Sequence, residues 1–163
     1  MNEKIVTKVV ETVLRTLPVT PKMTLCLAKE LIDKVERKAT DMGLAVVIAV
    51  SDSSGLPVAV HCMDGAYIGS FDVALNKTFT AVAFKMSTGE LGRLCLPGQS
   101  LYGIQYTNHG KVVVIGGGEL LPYQDNIIGA IGVSGATCED DTLLGEYGKS
   151  AFKEMLACQL MKT

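Results

Sequence analysis

No apolar run among the 163 residues reaches membrane-spanning length, and no signal-peptide core follows the N-terminus, so nothing in the sequence sends the chain across a membrane. Neither sign of charge dominates. The 15 basic and 17 acidic side chains are mixed along the chain and leave a formal net charge of −2, which provides no electrostatic footprint for nucleic acid. Cysteine forms no short C-x-x-C pair. Cys26, Cys62, Cys95, Cys138 and Cys158 are scattered, three of them in patterns that read as buried, and all five are expected to be reduced thiols of a cytosolic protein. Histidine is scarce, so any imidazole-based metal or haem site must use His61, His109 or a second copy from a neighbouring subunit. The sequence holds no H-E-x-x-H, no carboxylate cluster at metal spacing and no Ser-His-Asp order with an elbow motif, which leaves little argument for an enzyme.

The chain does not lack apolar surface. Hydrophobic residues make up 48% of it, and the mean hydropathy is +0.30, which excludes general disorder. Its length suits one domain with either a large core or buried subunit contacts, and a homo-oligomer is expected.

Ile5, Val6, Val9, Val10, Val13, Leu14 and Leu17 recur at helical spacing, giving an amphipathic helix over residues 1–17 that a Pro18–Pro21 break sets apart. Residues 18–23 are a linker. A second helix is expected from Thr24 to Met42, stopped by Gly43. Leu44–Val50 and Leu56–Met63 read as a hairpin around the polar turn Ser51–Gly55. Ser70 is placed to cap a helix whose expected core stripe is Phe71, Leu75, Phe79, Val82 and Met86. Ser87-Thr88-Gly89-Glu90 forms a capping box opening a short helix through Leu94. Strands are expected near Gly103–Tyr106, Val112–Ile115, Leu120–Tyr123 and Ile127–Val133. A C-terminal helix should then run from Asp140 or Asp141 to about Met161, with Leu144, Tyr147, Ala151, Met155 and Cys158 on one face. Short turns favour antiparallel neighbours, so the fold class is α+β.

Two glycine-rich stretches stand out. Gly116-Gly117-Gly118 and the run from Ile128 to Gly135 mark backbone that something approaches closely, but Leu121 occupies the place of the third glycine of a dinucleotide fingerprint. Gly145–Ser150 ends like a P-loop without its first glycine and lies in a helical pattern. Its G-x-x-G spacing more simply brings that helix close to a neighbour. Lys77 shares a helix face with Ala74, Ala81 and Phe84. Either its stem covers apolar surface and its head pairs with Asp64 or Asp72, or its ammonium anchors a ligand carboxylate or phosphate. His61 points to the face of its strand opposite Val60 and Cys62, where it is either hydrogen-bonded or a ligand. His109 sits in an exposed turn.

The ordered motifs Ala49-Val50-Ser51-Asp52, Met63-Asp64-Gly65-Ala66, Asp72–Lys77, Pro97–Gly103, Thr107-Asn108, Gly116–Gly118 and Ile128–Gly135 resemble the GlcG/HbpS family. The likeness is greatest to the domain at the C-terminus of PduO-type corrinoid adenosyltransferases and covers residues 24–163. It implies a profilin-like antiparallel sheet flanked by helices, usually assembled into dimers or larger oligomers, and, in some members of the family, binding of haem or another tetrapyrrole. By position it makes Asp64, Lys77, Gly117, Gly118 and Ser134 the ligand-binding candidates and His61 the candidate haem ligand.

The N-terminal helix falls outside that likeness and is similar to the peptides that direct cargo to bacterial microcompartment shells. It could dock on a shell protein or pack within its own assembly. Three readings follow: a non-catalytic tetrapyrrole or small-ligand binding accessory protein, cytoplasmic or in a microcompartment lumen; an adaptor without cofactor; and a small-molecule enzyme using Lys77 and Asp64.

Overall fold

In the computed structural model, residues 21–160 are described, with Val6 ahead of them. The expected helix over residues 1–17, Val6 apart, and the first half of its linker lie outside the described residues. Helix α1 (Leu25–Asp41) starts where the Thr24 hydroxyl accepts the Leu27 N–H at 3.2 Å, and it buries Leu27, Ala28, Leu31, Ile32, Val35 and Ala39 on one side. Strands β1 (Val47–Asp52) and β2 (Pro57–Cys62) form the hairpin. Its turn is held by the Asp52 carboxylate, which accepts the Ser54 and Leu56 N–H groups at 2.8 and 3.0 Å. Helices α2 (Ser70–Phe84) and α3 (Thr88–Leu94) follow, then β3 (Gly118–Tyr123), β4 (Asn126–Ser134) and the long α4 (Cys138–Leu160).

The four strands form one antiparallel sheet in the order β2-β1-β4-β3. Alternation along β1 and β4 splits the interior into two layers. Val46, Ile48, Val50, Ile131 and Val133 face α1 and α4 and make the main core with Leu31, Val35, Leu144 and Phe152. Val47 and Ala49 face Ala74 of α2. The protein is therefore an α+β layered sheet with helices on both faces, as the sequence resemblance implies.

Several local expectations need correction. The buried face of α2 is Ala74, Lys77, Thr78 and Ala81, while Phe71 is 43% exposed. The reason lies in β4: a Cβ at Gly132 would run into the Ala74 carbonyl and come within 3.0 Å of the Lys77 Cβ, so the helix backbone lies too close to the sheet for the bulky Phe71–Leu75–Phe79 stripe to enter there. The helix starts at Gly69 without a side-chain cap, so Ser70 does not cap it. Gly103–Tyr106 contains a 3-10 turn instead of a strand. Val112–Ile115 pairs with no strand among the described residues, and the Thr80 hydroxyl of α2 accepts the Val113 N–H at 3.0 Å. In α4, Tyr147 and Cys158 are exposed, and the inward side runs through Leu144, Gly148, Ala151, Phe152 and Met155. Of the five cysteines only Cys95 is buried.

Candidate functional site

The sequence candidates separate into two regions. The first surrounds Lys77, whose side chain has no exposed surface. Its ammonium donates to the Val133 carbonyl at 2.6 Å and to the Asp141 carboxylate at 2.8 Å, so the partner is neither Asp64 nor Asp72. Asp141 enters from the first turn of α4, and its other oxygen accepts the Ala136 N–H at 3.1 Å. Burial pushes the Lys77 ammonium below its ordinary value, and the bond and charge of Asp141 oppose that shift.

The glycines make this arrangement possible. A Cβ on Gly117 would lie 2.9 Å from the Lys77 Nζ and 2.9 Å from the Asp141 Cβ, and Gly117 itself takes φ +103°. Gly118 donates its N–H to the buried Thr88 hydroxyl at 2.9 Å, which ties α3 to the start of β3. Ser134, the residue after the Val133 carbonyl that Lys77 holds, is buried at the end of β4. Gly145 and Gly148 bring α4 close to Gly117 and Ile131, the role expected of their spacing. Lys77, Gly117, Gly118 and Ser134 thus come together, in a closed frame where an anion could reach the ammonium only by displacing Asp141. Neither Asp141 nor Thr88 was singled out from the sequence.

The second region lies at the C-terminal end of β2, on the sheet face that α1 covers. His61 is half-buried, and its Nδ1 lies 3.4 Å from the Glu36 carboxylate. Asp33, one turn earlier on α1, joins them: one ligand atom from each of the three side chains lies within 4.8 Å of the others. An open groove of about 570 Å³ beside them is lined by Asp33, Glu36, Arg37, Thr40 and Asp41 of α1 and its end, and by Cys62, Met63 and Asp64. Asp64 therefore belongs with the acidic groove and not with Lys77. His109 is exposed, in a left-handed conformation.

The turn after Asp64 and the first turn of α2 present an apolar ledge. Tyr67, Ile68 and Phe71 are 74%, 96% and 43% exposed. No helix among the described residues is long and apolar enough to cross a membrane.

A family model described as "Haem degrading protein HbpS-like" matches residues 23–149. The chain is 40% identical over 133 residues, 82% of its length, to the "Uncharacterized 15.0 kDa protein in dhaT-dhaS intergenic region" of Citrobacter freundii, covering 94% of that protein. It is 35% identical over 114 residues, 70% of its length, to the corrinoid adenosyltransferase PduO of the same organism, and spans only 34% of that relative. Among solved structures, a PduOC:heme complex superposes with a TM-score of 0.77 at 30% identity, over 80% of this chain and 95% of that one.

Proposed function

The chain belongs to the HbpS-like family, and from that premise we propose that it is a non-catalytic accessory protein that binds a tetrapyrrole of the haem class. The observation that carries this reading is the ledge of Tyr67, Ile68 and Phe71, exposed on a chain 30% identical to the protein of the PduOC:heme complex. An exposed apolar patch of this kind suits the flat face of a porphyrin. Asp64, three residues before Tyr67, stays with the acidic groove and outside that site. Lys77, Gly117, Gly118 and Ser134 form the frame that fixes α2 against β4 behind it.

The residues fit haem unevenly. The ledge meets the need for an apolar face. His61 does not meet the need for an axial ligand, because the carboxylates of Asp33, Glu36, Asp41 and Asp64 line its groove and would repel the haem propionates. An enzyme using Lys77 and Asp64 lacks support for a similar reason. The Lys77 ammonium is closed off, and Asp64 lines a different groove.

A haemin titration of the full chain followed in the Soret region tests the reading. The expected result is a saturable shift that Ile68→Glu weakens at least tenfold and His61→Ala leaves in place. Absence of any saturable shift would remove the proposal.

A second reading, an adaptor in a microcompartment, is favoured by the likeness to PduO and by the amphipathic stripe of residues 1–17. It predicts that deleting residues 1–20 abolishes co-purification with shell proteins, and unchanged co-purification would end it. The exposed side of α2 also supports self-association into a homo-oligomer, which light scattering on the purified chain would measure.

A further inference from the structure

We infer that Asp33, Glu36 and His61 form a mononuclear site for a divalent first-row transition-metal ion, a function separate from tetrapyrrole binding. The three side chains come from two elements and converge for identifiable reasons. Asp33 and Glu36 are three residues apart on α1, so they lie on one face of the helix one turn from each other. His61 sits opposite Ile48 in the β1–β2 ladder, and cross-strand partners point to the same face of a sheet. Ile48 packs beneath α1 and α4, so His61 is aimed toward α1 as well.

The spacing suits an ion. One ligand atom from each residue lies within 4.8 Å of the other two. The 3.4 Å between His61 Nδ1 and Glu36 Oε2 equals the edge of a tetrahedron whose metal–ligand bonds are about 2.1 Å. The side chains are half-buried, which fixes them more firmly than surface groups while the groove in front leaves a coordination position open to water or an exchangeable ligand.

Charge and donor type narrow the occupant. Two carboxylates balance a divalent ion, and Asp41 and Asp64 add negative potential, against Arg37 as the cation of the groove lining. An imidazole donor disfavours magnesium and calcium, which take oxygen ligands, and suits manganese, iron, cobalt, nickel or zinc. Cys62 lies at the rim of the groove, but its place opposite Val47 turns it to the other face of the sheet. The donor set is therefore nitrogen and oxygen without thiolate.

The test is a titration of the full chain with Co²⁺ and Zn²⁺ by calorimetry and by cobalt absorption, in the absence of haem. One ion should bind per chain, with cobalt d–d bands and no thiolate-to-cobalt charge-transfer band. Glu36→Gln and His61→Gln should each weaken binding at least tenfold, while Cys62→Ser leaves it unchanged. Circular dichroism confirms that the variants fold, and Asp33→Asn provides an independent removal of one ligand if either does not. Binding that these ligand variants leave intact, a thiolate band that disappears in Cys62→Ser, or no stoichiometric binding would each overturn the site. Because the assay contains no haem, its failure leaves the tetrapyrrole reading untouched.

Discussion

The Lys77 ammonium and the Asp141 carboxylate, 64 residues apart in sequence, meet at 2.8 Å with 0% and 5% of their side chains exposed. The pair joins α2 to the first turn of α4 and, through the Val133 carbonyl, to the end of β4. Two charges are expensive to withdraw from water, and removing one strands the other. Lys77→Met is therefore expected to destabilise the fold by about 3–5 kcal/mol. The double variant Lys77→Met with Asp141→Leu should recover most of that loss, since a well-packed apolar pair replaces the ions. Urea unfolding of the single and double variants measures this. A double variant no more stable than Lys77→Met would show that the two groups are not coupled.

Much of the fold is legible in sequence because local chemistry and packing agree there. The α1 stripe, the β1–β2 hairpin and the Ser87–Glu90 capping box all follow from periodicity and cap residues. The inward face of α2 was not legible, since it is set by what lies beneath it. Gly132 leaves room for alanine and threonine but not for the larger Phe71–Leu75–Phe79 stripe, which is displaced to the flanks. The same limit applies to the sites. The lysine among alanines at Lys77 was visible, but its partner Asp141 had only the look of a residue starting a helix. Asp33 and Glu36 stand in no metal-binding motif, and only the strand register brings His61 to them.

Gly132 gives a sharp test of the close approach between α2 and the sheet. Adding a methyl group there would press on the Ala74 carbonyl and on the Lys77 Cβ, both held by backbone. Overpacking of this kind costs about 1–3 kcal/mol. Gly132→Ala should lower the thermal midpoint and, if α2 moves outward, speed amide exchange in α2 and β4 before it does so in α1. A midpoint equal to that of the wild type would mean the helix yields freely.

At the start of α3, the Ser87 hydroxyl accepts the Glu90 N–H at 3.2 Å, and the Glu90 carboxylate accepts the Ser87 N–H at 3.0 Å. The Ser87 N–H and, at 3.1 Å, the Ser87 hydroxyl both donate to this carboxylate and hold the Glu90 carboxyl below its ordinary value. Ser87→Ala removes the hydroxyl acceptor and should cost about 1 kcal/mol. Thermal unfolding at neutral pH would detect the loss, and an unchanged midpoint would show that α3 is held by Leu91 and Thr88 alone.

Cys95 carries a pH dependence of opposite sense to that of a carboxylate. Its thiol is buried against Leu91 and Val112, and burial pushes it above the ordinary 9.0. As pH rises through 9.0 the unfolded chain releases this proton while the folded chain keeps it, so the folded state binds more protons and stability falls. The slope contributed by this one group approaches about 1.4 kcal/mol per pH unit between the two values. Cys95→Ala deletes that contribution and leaves every other thiol and tyrosine in place. The stability gap between wild type and Cys95→Ala, measured by denaturant unfolding, should therefore narrow as pH rises above 9.0. A gap that stays constant across that range would show that the Cys95 proton is released as readily in the folded chain as in the unfolded one.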